Sequence, residues 1–238
     1  AEQVDPKQVD PDHLVAFLDQ SPSLRVGRYF ERLILYWLKH LRRVEIVAQS
    51  LQIRDGSRTI GEIDLLFYDE HRRLTHWEIA VKFYLHFPHD SLVGSHFIGP
   101  NAADTFERKM DRLFEHQLPR SKTHFPEVEI RQAFVRGRIF YHPNHRSMPT
   151  LPVQMSPDHH RCVWIRSSEL DLISRADDLF YRILHKPHWL SEETAQIGDI
   201  DLLTPAELVE KLASHFADDA RPLLISGLAT HGERLIES

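Results

Sequence analysis

Between Ile60 and Tyr84 two runs of β-branched, aromatic and leucine side chains flank a charged turn from Asp69 to Arg73. This is the pattern of a β-hairpin, and it constrains the rest of the chain more than any other stretch. Side chains alternate along a strand, so Glu62, Asp64, Leu66 and Tyr68 are expected on one face and Ile63, Leu65 and Phe67 on the other. On the second strand Glu78, Ala80, Lys82 and Tyr84 share a face opposite Ile79, Val81 and Phe83. Pairing Tyr68 with Leu74 across the turn places Asp64 opposite Glu78, with Cβ atoms roughly 5 Å apart. Two carboxylates at that separation repel unless one is protonated or a cation bridges them, and Mg²⁺ is commonly held by one or two carboxylates, waters and phosphate oxygens. The plainer reading is a half-buried edge pair whose charges face solvent. Apolar residues on both faces argue for a covered strand, in which buried carboxylates need partners.

Gly61-Glu62-Ile63-Asp64, followed by Glu78 and Lys82 on the next strand, resembles the core of the PD-(D/E)XK nuclease superfamily. The run from Trp77 to Leu85, together with Gly99-Pro100-Asn101, His116-Gln117-Leu118 and Lys186-Pro187-His188-Trp189-Leu190, is similar to a bacterial family catalogued as domain of unknown function 1853. That likeness covers most of the chain. The nuclease resemblance implies a restriction-endonuclease-like α/β fold, Mg²⁺ or Mn²⁺ held by Asp64 and Glu78, and Lys82 as the catalytic cation. It also implies a glutamate on the first long helix, Glu31 in Gly27-Arg-Tyr-Phe-Glu31, as a further metal ligand, and DNA as substrate. Glu62 is the substitute ligand if Glu78 lies too far away. In the superfamily the acid precedes the lysine by two residues, whereas here Ala80 holds that position. Glu78 and Lys82 are then roughly 13 Å apart along a flat strand, against roughly 7 Å in the usual spacing. Either a bulge near Ala80 shortens the path or the lysine has left its catalytic position.

The remaining composition narrows the class. With 238 residues and 42% hydrophobic content, the chain can build one domain with a substantial core. It has no apolar run long enough to span a bilayer, and Ala-Glu-Gln-Val-Asp-Pro at its start has no signal-peptide pattern, so the reading is a cytoplasmic protein with no membrane partner. Cys162 is the sole cysteine, which excludes an intrachain disulfide and a cysteine-based zinc site. His86, His89 and His96 fit no ligand spacing, and 17 histidines make chance clustering expected. The net charge of −6 is uneven. Arg120, Lys122, Arg131, Arg136, Arg138 and Arg146 face only Glu127 and Glu129 in their stretch, a basic region that could meet DNA phosphates. Ser191 to Asp219 is strongly acidic, and both stretches also read as solvated faces.

In chain order, a lead segment over residues 1–20 carries a short helix from Pro11 to Leu18. A helix from Leu24 to Arg43, capped by Ser21 or Ser23, repeats apolar residues at helical spacing. Val44 to Ile53 is a strand with a turn at Asp55-Gly56, and Tyr84 to Gly99 is a loop. A helix over Asp104 to Leu118 has Asp104 as cap or first-turn acid. On it Lys109 and Gln117 could approach a substrate, although Lys109 reads as surface-exposed. Glu129 to Tyr141 is a strand broken at Gly137, and Arg161 to Arg166 is a last strand. Ser168 to Leu184, Lys186 to Leu190 and Pro205 to Phe216 read as helices or capped turns, with Thr204-Pro205-Ala-Glu207 as a start signal. The expected architecture is a mixed central sheet flanked by helices over residues 21–166, with a helical C-terminal extension over 167–238.

Three functions follow as expectations. The first is a metal-dependent nuclease hydrolysing DNA phosphodiester bonds. The second is a catalytically inactive nuclease-like fold serving as a protein- or nucleic-acid-binding module. The third is a structural ion network in which Lys82 neutralises Asp64 and Glu78.

Overall fold

A computed structural model describes residues 5–89, 94–145, 150–175, 179–196, 198–231 and 234–237. Strands β1 (Glu45–Asp55), β2 (Arg58–Tyr68) and β3 (Leu74–His86) form an antiparallel meander. The β2–β3 register is the expected one, with Tyr68 opposite Leu74 and the ladder continuing to Leu65 opposite Trp77. The Asp69 side chain organises the turn by accepting from the backbone of His71 and Arg73 at 2.9 Å. Strand β4 (Phe97–Ile98) pairs with Leu85 and His86. On the other edge of β3, β5 (Ile130–Tyr141) runs parallel along its whole length, and β6 (Arg161–Val163) follows. The sheet is therefore mixed and six-stranded.

Gly137 was expected to break β5, yet the strand passes through it without interruption. Gly137 sits in register with Lys82, where a Cβ would collide with the Lys82 carbonyl. Glycine is needed for close approach of two backbones, not for a bend.

Helices cover both faces of the sheet. Helix α1 (Pro11–Asp19) is capped by Asp10 and packs Phe17 edge-on to Tyr36. Helix α2 (Val26–Tyr36) continues through a wider turn over Trp37–Leu41. Its stripe Phe30, Ile34 and Leu38 recurs every four residues and meets Leu65, Phe67, Trp77, Ile79 and Phe134. The helix starts later than expected, because Ser23 caps only the Arg25 amide and Arg25 holds the N-cap position with no side-chain cap. On the opposite face, α3 (Phe106–Asp111), its wider turn Arg112–Gln117 and α4 (Arg120–His124) bury Phe106, Met110 and Leu113 against Tyr84, Phe97 and Ile139. Each fully buried side chain of this size contributes about 1.5–3 kcal/mol. Thr105, not Asp104, caps α3.

The C-terminal part corrects the expected helical extension. Beyond a 3₁₀ segment at Ser167–Arg175, strands β7 (Leu179–Leu184), β8 (Thr194–Gln196), β9 (Leu224–His231) and β10 (Arg234–Glu237) make a four-stranded antiparallel sheet ordered β7-β9-β10-β8. Among the described residues of this part, only the segment expected over Pro205–Phe216 is an α-helix, α5 (Pro205–Asp218), and it opens on the capping box of Thr204 and Glu207. Lys186–Leu190 is a pair of turns. The Leu-Phe-Tyr-Arg-Ile-Leu run of β7 has aromatic and β-branched residues that favour a pleated surface. Leu208 and Leu212 of α5 pack over Tyr181, Ile183 and Ile225. This unit joins the main sheet through Leu184, Leu224 and Trp189 against Phe83, Leu85 and Phe140, and through a buried ion pair between Arg138 and Glu237.

Candidate functional site: a carboxylate junction

Where β2 parts from β3, the side chains of β2 stop alternating. Leu65 and Phe67 face α2, whereas Ile63 and Leu66 both join the cluster of Ile53, Leu74 and Val128. On the neighbouring strand Ser50 adopts a left-handed conformation (φ 48°) between the Gln49–Leu65 and Leu51–Ile63 pairs. Asp64 sits at this distortion, and its carboxylate accepts the Ile79 amide at 2.7 Å. A side chain thereby takes the place of a ladder partner for β3.

Glu78 lies on the opposite side of β3 from Trp77 and Ile79, facing the α3–α4 segment. Glu78, His76 and Ser121 have no solvent exposure, so every polar atom there needs a protein partner. Glu78 Oε1 lies 2.9 Å from His76 Nε2, and Glu78 Oε2 accepts from Gln117 Nε2 at 2.6 Å. His76 Nδ1 lies 2.9 Å from Ser121 Oγ, which also accepts from Arg131 Nε at 2.9 Å. The Ser121 hydroxyl also donates to the Leu118 carbonyl at 3.3 Å, so His76, Glu78, Gln117, Ser121 and Arg131 form one connected chain.

The lysines exchange their expected positions. Lys82 Nζ pairs with Asp104 Oδ2 at 2.6 Å, away from Glu78. Lys109 is half-buried, contrary to the exposed position expected, and its Nζ donates to Gln117 Oε1 at 3.2 Å. Gln117 thus spans Glu78 and Lys109 with the two ends of one amide. Burial pushes the Lys109 ammonium below its usual pKa, Lys82 and Arg112 add repulsion, and Asp64 and Glu78 pull it back up.

Asp64 carries the largest perturbation at the junction. Burial first and the Glu78 carboxylate second raise its pKa from 3.8 to about 7, the Ile79 amide opposes this, and Glu31 and Glu62 add further repulsion. Glu31 is itself pushed up by burial, against the pull of Arg28, whose guanidinium donates to it at 2.8 Å. Arg28 also lies 4.0 Å from Glu62 and bonds Ser50 at 3.1 Å. Four carboxylates are therefore coupled here, answered by Arg28 and Lys109.

The junction brings together Asp64, Glu78, Lys109, Gln117 and, through charge, Glu31 and Glu62. It leaves Lys82 out. Among the described residues, no group of three or more His, Cys, Asp and Glu side chains is arranged to hold a metal ion by itself, so Glu31, Asp64 and Glu78 do not form one closed cage. His76 and Gln117 take the two Glu78 oxygens, and the Ile79 amide takes one oxygen of Asp64. Sequence reasoning missed His76, Ser121 and Arg28. His76 was legible, since it shares a strand face with Glu78 two residues away, but Ser121 is 45 positions distant and only the tertiary fold reveals it.

The basic stretch does not form one surface. Arg120 lies against Gly61, Arg131 serves the buried Ser121, Arg136 lies over the Phe134 ring and Arg138 is buried on Glu237. Arg146 falls outside the described residues. No helix among the described residues is long and apolar enough to cross a membrane.

Mixed-sheet α/β architecture with a buried carboxylate junction defines the structural class. The chain matches the family model described as domain of unknown function (DUF1853) over residues 3–237, and it belongs to that family. Neither a curated protein nor a solved structure matches it.

Proposed function

We propose that the protein is a metal-dependent nuclease acting on DNA phosphodiester bonds at the Asp64–Glu78 junction. The observation that carries this reading is the pair itself: two coupled carboxylates, one with its pKa raised to about 7, beside a half-buried amine. Acids perturbed by burial together with a specific charge partner are candidates for sites of chemistry. Asp64 and Glu78 hold Mg²⁺ or Mn²⁺, with Glu31 or Glu62 available as a more distant acid. A bound ion of this kind supplies Lewis-acid polarisation of the phosphate and lowers the pKa of a coordinated water. Lys109, rather than Lys82, offsets charge developing on the phosphate, and Gln117 orients both Lys109 and Glu78. His76 and Ser121 keep Glu78 in place from behind.

A second reading, a nuclease-like fold that binds without cutting, is favoured by one observation. Both Glu78 oxygens already have protein partners. The two readings separate on incubation of purified protein with linear and supercoiled DNA in Mg²⁺ or Mn²⁺, with chelator and Asp64→Asn controls. Metal-dependent cutting lost in Asp64→Asn is the expected result. Absence of cutting on DNA and RNA, with no heat of Mg²⁺ or Mn²⁺ binding by calorimetry, would sink the nuclease and leave the binding module.

A further inference from the structure

Beyond Asp64 the edge of β3 opens. Trp77 is the last β3 residue paired with β2 and Leu85 the first paired with β4, so among the described residues the edge between them has no partner strand. Along it runs a groove of about 630 Å³, bounded by Val81–Tyr84, the first turn of α2, the Gly99–Asp104 loop and the C-terminal unit at Lys186, Trp189 and Arg221. Its side chains are unequal in charge: Arg25, Lys82, Lys186 and Arg221 stand against Asp104. Lys82 is neutralised by Asp104, and Arg221 is shared with Asp219, while Lys186 rests over the Trp189 ring at 4.5 Å and Arg25 is exposed. At its inner end the groove shares Phe83, Pro100, Trp189 and Pro222 with a second cavity of about 200 Å³. That cavity is walled mainly by aromatic and aliphatic side chains such as Phe140, Trp164 and Phe216, with Arg166 and Ser167 as polar groups at its side.

We propose that the groove and cavity together hold one nucleotide unit of a single-stranded nucleic acid, its phosphate among Arg25, Lys186 and Arg221 and its base in the aromatic cavity beside Trp189. A cationic channel leading to an aromatic surface is the combination that recognises single strands, because every base offers a flat face and every linkage a charge. The cavity lies below the roughly 300–1,000 Å³ of pockets for drug-sized ligands, which suits one ring system and excludes a larger apolar body. A paired base would have to leave its stack and its partner to enter the cavity, at a cost that a single strand does not meet. The slot deepens the nuclease reading and rests on it for one consequence only, that the strand is led along β3 toward Ile79, where Asp64 is bound. Strand binding itself needs no metal.

The test is fluorescence anisotropy of a short labelled oligothymidine, alone and annealed to oligoadenine, on the full chain in chelator. The single strand is expected to bind about tenfold or more tightly than the duplex. Arg25→Glu combined with Lys186→Glu weakens the single strand about tenfold or more and flattens the salt dependence, because phosphate contacts release counterions. Trp189→Phe, which keeps an aromatic packed on Phe83, gives a smaller loss, and Lys122→Glu on α4 gives none. Both Arg25 and Lys186 are exposed, so unchanged thermal unfolding of the double variant verifies its fold. Equal affinity for strand and duplex, no effect of the double variant, or an equal effect of Lys122→Glu overturns the proposal. Cleavage is scored separately in Mg²⁺. Groove-dependent binding without cleavage removes the nuclease and keeps the slot, whereas cleavage with groove-independent binding does the reverse.

Discussion

Two regions of this protein bury charge, and they do so by opposite rules. At the contact between the main sheet and the C-terminal unit, Arg138 meets Glu237 and also donates to the Ser191 carbonyl at 2.7 Å, so the buried cation is matched. At the β2–β3 junction, Glu31, Glu62 and Glu78 act on Asp64, and burial with their repulsion raises its pKa to about 7 against the pull of the Ile79 amide. The first arrangement serves docking. The second is unfavourable for the fold, because burial and neighbouring carboxylates both oppose the charged form of Asp64.

Breaking the matched pair is expected to give the largest effect. Glu237→Gln keeps the shape but leaves Arg138 buried without its counter-ion, and removal of one partner from such a pair costs about 3–5 kcal/mol. Urea unfolding measures this directly. Adding Arg138→Met to that variant restores part of the loss, since an apolar pair of similar volume has no desolvation penalty. A single-variant loss below about 1 kcal/mol would mean that the C-terminal unit is held by Leu184, Leu224 and Trp189 alone.

The unmatched site sharpens the contrast through its two lysines. If Lys109 is the cation that faces the phosphate, Lys109→Ala lowers the cleavage rate about a hundred- to a thousand-fold, the range for removing one positioned electrostatic donor. Lys82→Ala, whose amine is committed to Asp104, then lowers it less than about tenfold. The reverse ranking in the DNA cleavage assay would return Lys82 to the role implied by the nuclease resemblance.

Stability should move in the opposite direction at Asp64. Its pKa is raised in the folded state, to about 7 from 3.8, so its favourable contribution is complete below about pH 4 and is lost as pH rises through 7. Asp64→Asn keeps an acceptor for the Ile79 amide and removes the ionisation. At 1.36 kcal/mol per unit of pKa, reduced for partial solvation, the variant gains about 2–4 kcal/mol over the parent above pH 7 and little near pH 4. Thermal unfolding across that range checks the sign. A variant less stable than the parent at pH 8 would show that the carboxylate is compensated after all.

The same division explains what could be read from the sequence. Alternating side chains around Asp69–Arg73 led to the correct hairpin register, because turn chemistry and a two-residue period are local. The four-residue gap between Glu78 and Lys82 left open whether the lysine meets the acids, and in the structure its amine pairs with Asp104. Lys109 is linked to Glu78 through Gln117 because the α3 segment crosses that face of the sheet, and a half-buried lysine looks like any surface lysine in a helical pattern. The C-terminal unit was misread for a related reason. Its strands β7 and β9 are short and covered on both sides, so their apolar runs carry no clean alternation to separate them from helix.

One local signal in that unit did hold, and it supports the smallest prediction. Thr204 accepts from the Glu207 amide, and the Glu207 carboxylate accepts from the Thr204 amide at 2.8 Å, which closes the capping box at the start of α5. Thr204→Ala leaves first-turn amides without that acceptor and is expected to cost about 1 kcal/mol. Because Leu208 and Leu212 of α5 cover the face of β7 and β9, the loss should appear as faster amide exchange in α5 and those two strands, with the hairpin of β2 and β3 unchanged. Exchange rising equally in both sheets would mean that the matched contact at Arg138 couples the two regions into one cooperative unit. Exchange confined to the C-terminal sheet would mean that the carboxylate junction is carried by a core that stands without it.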